Sequence, residues 1–317
     1  MRHSAASRAF LFESYMIEVD HKNMKKTLTT KKARTAKAQP KPKLTPEALY
    51  SSPEAQYLKA QICDIGRRLW QREYVDGNGG NISVRVGDGY FLCTPTGVSK
   101  GFLTPDMLCL CDAEGNQLIG TWKRTSEFLS HLAIFNSVPE AQAVCHAHPV
   151  HATAYAIAGL TPPERLIPEI EVFVGRVAIA PYATPGSQEM HDLLAPLAPK
   201  HQSILMTNHG VICWGTSVED AYFKVEITDA FCRTAAIASH LPTNGTSIPP
   251  EKMADLLAIK GRLGLPDARS AKNEAWAEDP WTKIRGHDDS IIEEVVRKVT
   301  KEVLKQIGNG NGRKSLS

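Results

Sequence analysis

The chain has 317 residues, 42% hydrophobic and 22% charged, with 37 Lys and Arg against 34 Asp and Glu for a net charge of +3. These proportions fit a soluble globular protein of one large domain with tails or two small domains, and a charge excess carried mostly by the tails argues for no nucleic-acid partner. No apolar run reaches the roughly 18 residues of a membrane span. The N-terminal stretch lacks the apolar run and cleavage site of a secretory leader. The seven cysteines form no C-x-x-C pair, so reduced thiols in a cytosolic compartment are expected.

Residues 1–46 carry a basic cluster from Lys22 to Lys43 without apolar periodicity, which reads as a disordered tail, and Met16 and Met24 stand as alternative starts. The compact part opens near Ser52: Pro53 suits a first helical position, and Leu58, Ile62, Ile65 and Leu69 recur at helical spacing. After Asp76-Gly77 short strands are predicted at Asn81–Arg85, Tyr90–Thr94 and Met107–Cys111. A helix is predicted from Ser126 to about Asn136, a strand through Val144 to His148, and a second helix opening near Pro149. Further strands are placed at Val172–Ile179, Ser203–Thr207 and Val211–Trp214. Ser217, with Asp220 three residues on, begins a long helix to about His240, and a shorter helix follows Pro250. Strands and helices mixed without regular βαβ alternation point to an α/β sandwich rather than a doubly wound sheet.

The chemistry gathers in a few short segments. In AVCHAHPVH, His146 and His148 stand two apart at the end of an apolar strand. A period of two puts both imidazoles on one face, within reach of one metal. His209 lies between two apolar strands beside Gly210, where a turn aims it sideways from the sheet. Three histidines suit zinc and leave a position for a carboxylate, a water or a substrate oxygen. His151 is read as orienting a neighbour rather than as a ligand. Glu127, at a predicted helix start, is a carboxylate candidate, although such a residue often serves only the helix dipole. Thr125 and Ser126 beside it offer hydroxyls and backbone N–H groups for an anion. The turns Gly77-Asn78-Gly79-Gly80-Asn81 and Thr94-Pro95-Thr96-Gly97 can close around a phosphate with them.

The ordered set GNGGNISVR, TPTG, TSE before a helix, HAHPVHATA, APYATPGS and NHG resembles the class II aldolase/adducin family, and within it the bacterial fuculose-phosphate aldolases, over roughly residues 53–262. The resemblance implies a three-layer α/β/α sandwich spanning residues 47–264, and a fourfold homotetramer with sites at subunit interfaces. It makes His146, His148 and His209 the ligands of one Zn²⁺ per subunit. It makes Glu127 the catalytic acid/base that also touches the metal, and Asn81, Thr96, Gly97, Thr125 and Ser126 the phosphate-binding positions. The implied activity is a lyase cleaving L-fuculose 1-phosphate or L-rhamnulose 1-phosphate, ketose 1-phosphates, to dihydroxyacetone phosphate and lactaldehyde. The metal would stabilise the charge developing when C3–C4 breaks, with no Schiff-base lysine. The alternatives are 4-epimerisation, dehydration or decarboxylation on the same site, or a non-catalytic adducin-like scaffold. One departure stands out: after Ile167-Pro168, where the family carries a tyrosine that works across the subunit boundary, this chain reads Glu169-Ile170-Glu171-Val172. Tyr182 lies nearby in a widespread motif, and the base at the C4 hydroxyl is unassigned.

Leu265–Asp289 reads as a linker, with Trp276 and Trp281 its large apolar residues. It leads to the sequence SIIEEVVRKVTKEVLKQI at 290–307, where Ile292, Val295, Val296, Val299, Val303 and Ile307 form one stripe. Ser290 and Glu293 form a capping box, Gly308 ends the predicted helix, and residues 308–317 read as a disordered tail. A capped amphipathic helix on a long tether resembles the encapsulation peptides of bacterial microcompartment cargo, which implies shell or cargo partners and a place in the compartment lumen.

Overall fold

Strand β1, Asn81–Gly87, shows how the sequence builds the sheet. With a period of two, Ile82, Val84 and Val86 enter one apolar layer while Asn81, Ser83 and Arg85 face the other side. The structure is a computed structural model that describes residues 44–241, 245–269, 281 and 297–301. Among them the remaining strands are β2 (Tyr90–Cys93), β3 (Cys109–Asp112), β4 (Gln117–Ile119), β5 (Ala143–Ala147), β6 (Ala178–Ala180), β7 (Ser203–Met206) and β8 (Gly210–Gly215). They form one sheet in the order β4-β3-β2-β1-β5-β8-β7-β6, antiparallel throughout except for the parallel pair β6 and β7.

Helices cover both faces. On one lie α2 (Pro53–Gln71), α4 (Val150–Ala158), α5 (Pro168–Phe173) and α7 (Val218–Ser239), packed on Ile82, Val84, Leu92, Leu110 and Cys145. On the other lie α3 (Phe128–Ser137) and α6 (Gln188–Leu194), packed on Phe91, Cys93, Val144, Ile204 and Ile212. The short α1 (Pro46–Tyr50) and the longer α8 (Pro250–Arg262) are also present. The result is the three-layer α/β/α sandwich expected. Each long helix begins where its cap dictates: Ser52 accepts from Ala55 N before Pro53, and Ser217 accepts from Asp220 N before Val218.

One predicted strand is a helix for part of its length. The apolar, β-branched run suggests a strand over Val172–Ile179, yet α5 occupies Pro168–Phe173 and only Ala178–Ala180 is strand. Pro168 opens that helix after an extended Ile167. Gly175, at φ +89°, closes it, and the N–H groups of Val174 and Gly175 both return to the Ile170 carbonyl. The helix α6, seven residues behind a Ser187 cap, and the three-residue β4 are too short for periodicity to show.

Where composition suggests a linker, the described residues are held against the domain. Arg269 is bonded to Glu171 and Asp267, Asp267 lies 3.3 Å from Lys260 Nζ, and Trp281 Nε1 donates to the Thr246 carbonyl at 3.0 Å. A guanidinium with 2% of its side chain exposed needs such partners to be buried at all. Of the predicted helix at 290–307 only residues 297–301 are described, and they are helical. Residues 1–43 and 302–317, and with them both predicted tails, lie outside the described residues apart from 44–46.

Candidate metal centre

Three strand ends deliver the three histidines. His146 is on β5, and His148, just past its end, is anchored by its N–H to the Tyr74 carbonyl at 2.8 Å. His209 closes the β7–β8 turn, in which Asn208 is left-handed at φ +58°. The glycine that follows is required by close approach: a Cβ on Gly210 would lie 2.5 Å from the Ala147 carbonyl oxygen and 2.8 Å from His148 Cδ2. The three rings converge so that one nitrogen from each lies within 4.8 Å of the others.

The protonation pattern fits a bound cation. Burial first, and then the neighbouring rings, hold His146 well below the ordinary histidine range, and burial is also the first cause of the lowering at His148 and His209. His146 Nδ1–H donates to the Val211 carbonyl at 2.9 Å, which leaves the Nε2 lone pair facing the centre. His148 Nε2 lies 3.0 Å from His146 Nε2. Without a cation His148 Nε2–H can donate to that lone pair, and with one the three neutral imidazoles are a suitable donor set for a divalent metal. His209 Nδ1 is buried and finds no partner within the protein, as befits a ring held from a metal rather than by hydrogen bonds.

Glu127 stands beside this cluster rather than within it. Its Oε2 is 3.6 Å from His146 Nε2 and 3.5 Å from His209 Nε2, and its Oε1 accepts from Asn81 Nδ2 at 3.0 Å. It precedes α3 without a side-chain capping bond, and the helix begins at Phe128, two residues after the predicted start at Ser126. Burial raises its carboxyl above the usual range, against the opposing pull of His209, Asn81 and Lys100. A carboxyl so raised is suited to taking and returning a proton.

The predicted phosphate turns are adjacent in space. Thr125 N donates to the Thr94 carbonyl at 3.0 Å and Thr96 N to the Lys123 carbonyl at 2.9 Å, which ties the Thr94–Gly97 turn to the segment holding Ser126. Lys100, which no sequence motif singles out, joins the remaining turn: its buried ammonium donates to the Asn78 carbonyl at 2.8 Å and the Val98 carbonyl at 2.7 Å. Burial lowers its pKa to about 8, partly offset by Glu127. Gly97 and Ser126 are open to solvent, Thr96 is half-buried and Thr125 buried. Asn81 departs from a purely phosphate-binding role, since its amide oxygen faces His131 Nε2 at 2.5 Å and its nitrogen faces Glu127. His151 is outside the triad; its ring and backbone nitrogens meet Asp229 at 3.1 and 2.9 Å. Glu171, in the segment aligned with the family tyrosine, is buried against Arg269, while Tyr182 is exposed.

Residues 60–236 match the family model described as the class II aldolase and adducin N-terminal domain. The chain belongs to the class II aldolase and adducin family. A relative in Methanococcus maripaludis, an L-fuculose phosphate aldolase, is 35% identical over 182 residues, 57% of this chain and 97% of that protein. A 3-oxo-tetronate 4-phosphate decarboxylase of Haemophilus influenzae is 35% identical over 172 residues, 53% of this chain and 81% of that one. The crystal structure of Escherichia coli YgbL superposes with a TM-score of 0.60 at 31% identity, covering 63% of this chain and 98% of that one. Both named relatives break a carbon–carbon bond, and this chain is a lyase of the class II aldolase family. Among the described residues no helix is long and apolar enough to cross a membrane.

Proposed function

We propose that the chain is a zinc-dependent aldolase that cleaves L-fuculose 1-phosphate, or L-rhamnulose 1-phosphate, to dihydroxyacetone phosphate and lactaldehyde. The observation that carries the reading is the triad of neutral histidines with the raised carboxyl of Glu127 within 3.6 Å of two of them. His146, His148 and His209 hold the metal, which when bound supplies the positive charge that draws electrons from the breaking bond. Glu127 Oε2 carries the proton to and from the carbon left electron-rich by cleavage, while Oε1 stays on Asn81. The hydroxyls of Thr96, Thr125 and Ser126 and the N–H groups of Gly97 and Ser126 enclose the phosphate together with Asn81, the N–H groups of Thr96 and Thr125 being held by the Lys123 and Thr94 carbonyls. Glu171 is held by Arg269 within its own chain, so the base at the C4 hydroxyl is unassigned, and the active assembly is a homotetramer with its sites at subunit interfaces.

A second reading, decarboxylation of a 3-oxo-tetronate 4-phosphate, is favoured by the Haemophilus influenzae relative. It makes the same demand on the site, an electron-rich carbon beside a carbonyl that Glu127 must protonate. Product analysis separates the two: dihydroxyacetone phosphate and lactaldehyde from the first substrate, carbon dioxide from the second. Turnover of neither would remove both readings.

We further infer from the sequence that residues 290–307 form an encapsulation helix whose stripe Ile292–Ile307 folds fully against a microcompartment shell or cargo protein. Deleting residues 285–317 is expected to leave turnover and assembly unchanged and to abolish co-sedimentation with shells. Loss of the fold in the shortened chain would place the helix in the catalytic domain instead.

A further inference from the structure

The side of β1 that faces α3 is polar in an otherwise apolar layer. Asn81, Ser83 and Arg85 share that side of the sheet with the apolar layer of Phe91, Phe128, Leu132 and Ala133; Asn81 and Ser83 are buried and Arg85 is half-buried. Each finds a partner on α3 at a matched step. Two strand residues advance roughly 6.8 Å and four helix residues advance about 6.0 Å, so Glu127, His131 and Phe135 ride over Asn81, Ser83 and Arg85 in register. The bonds follow that register: Asn81 to Glu127, Ser83 to His131, and Arg85 to the Phe135 carbonyl at 3.2 Å. A cross-bond joins the first two pairs, because His131 Nε2 also meets Asn81 Oδ1.

We propose that Ser83 and His131 are positioning residues that lock the Asn81 amide with its NH2 on Glu127 Oε1, so that Oε2 is the oxygen left facing the three histidines. The inference rests on the proposed role of Glu127 in proton transfer. Its physical content is the polarity of the chain. An ionised carboxylate only accepts, so Asn81 presents its nitrogen to Glu127 and its oxygen to His131. That oxygen needs a donor, so His131 carries its hydrogen on Nε2. Burial lowers His131 to about 3, the ring is neutral, and its Nδ1 is therefore an acceptor. Ser83 Oγ then donates to Nδ1 at 2.5 Å. With the amide turned over, Oδ1 would oppose the carboxylate and NH2 would oppose the Nε2–H, so each end would meet its own kind.

Packing alone does not ask for this arrangement. A leucine at 131 would fill an apolar layer without the cost of burying polar groups, which is recovered only when every member is satisfied. Here each link has one donor and one acceptor, and the chain ends on Glu127, whose Oε2 lies within 3.6 Å of His146 and His209.

The test compares parent, Glu127→Gln, His131→Leu and His131→Gln as full chains, with zinc content and turnover of both substrate phosphates measured on each. A glutamine at 131 returns an N–H near the place of Nε2. His131→Leu is expected to lower kcat roughly ten- to hundredfold, the weight of one hydrogen bond to a charged group, with KM and zinc content within about twofold of the parent. His131→Gln is expected to recover most of that loss. A parent kcat in His131→Leu, or a loss that glutamine does not restore, overturns the proposal. Should His131→Leu fail to fold, Ser83→Ala decides: a severalfold drop in kcat at unchanged zinc supports it, and an unchanged kcat overturns it. A parent without turnover refutes the functional reading instead. The positioning claim then stands or falls on a crystal structure of His131→Leu, or of Ser83→Ala if the former does not fold, and is overturned if Asn81 Nδ2 still rests on Glu127 Oε1.

Discussion

Replacing His209 by alanine is expected to reduce bound divalent metal from one per chain to a trace and to cut turnover by about a thousandfold. The magnitude follows from the several kcal/mol a metal contributes to stabilising developing charge, at about 1.36 kcal/mol per factor of ten. Two histidines alone leave a site one donor short of the usual three protein ligands of catalytic zinc. The fold should persist. His209 sits in the turn between β7 and β8 and belongs to neither apolar layer, and its Nδ1 makes no bond within the protein that alanine would forfeit. His146→Ala is expected to lose the metal as completely but with a larger fall in stability, because that ring is 1% exposed and its Nδ1 is bonded to Val211. Burial lowers all three rings, so protons should compete with the metal only below the ordinary histidine range near 6.5. Elemental analysis of the purified variants reads the outcome, and stoichiometric metal in His209→Ala would remove that residue from the ligand set.

Glu127→Gln should separate binding from chemistry. Glutamine keeps an oxygen for Asn81 Nδ2 and fills the space of Oε2 with an amide that cannot take up a proton. Turnover is expected to fall by roughly 10² to 10⁴, the usual worth of a general acid–base group, while KM stays within a few-fold because Thr96, Gly97, Thr125 and Ser126 are untouched. In the parent, ionisation of Glu127 should appear in the kcat profile, with burial raising it and the divalent charge beside it lowering it. The variant should lack that feature. Steady-state kinetics across pH decides, and parent turnover in the variant would reduce Glu127 to a helix-start residue.

The triad is legible in the amino-acid sequence because strand periodicity and a glycine turn are local signals. His146 and His148 share a face by counting two residues, and His209 declares itself beside a glycine that has no room for a Cβ. Glu127 is legible only through its family motif, since a Glu at a helix start has an ordinary explanation. Lys100, Ser83 and His131 are silent in sequence for a different reason: their roles depend on which strand lies under which helix. A histidine four residues after Glu127 means little until β1 is known to pass beneath α3. The stretch that forms α5 misleads in the opposite way, because its β-branched residues speak for a strand while Pro168 and Gly175 bracket a helix. Arg269 likewise sits in a stretch whose composition reads as linker, and only the buried carboxylates of Glu171 and Asp267 explain its place.

Whether this chain breaks a carbon–carbon bond of a sugar phosphate with a metal held by His146, His148 and His209 is decided by one titration. Product formation is followed from L-fuculose 1-phosphate, and from a 3-oxo-tetronate 4-phosphate, with the full chain before chelation, after removal of metal, and after zinc is returned in equimolar steps. Turnover of one of them is expected, with its loss when the metal is removed and a recovery that saturates at one zinc per chain. Undiminished turnover in protein stripped of metal would contradict the assignment.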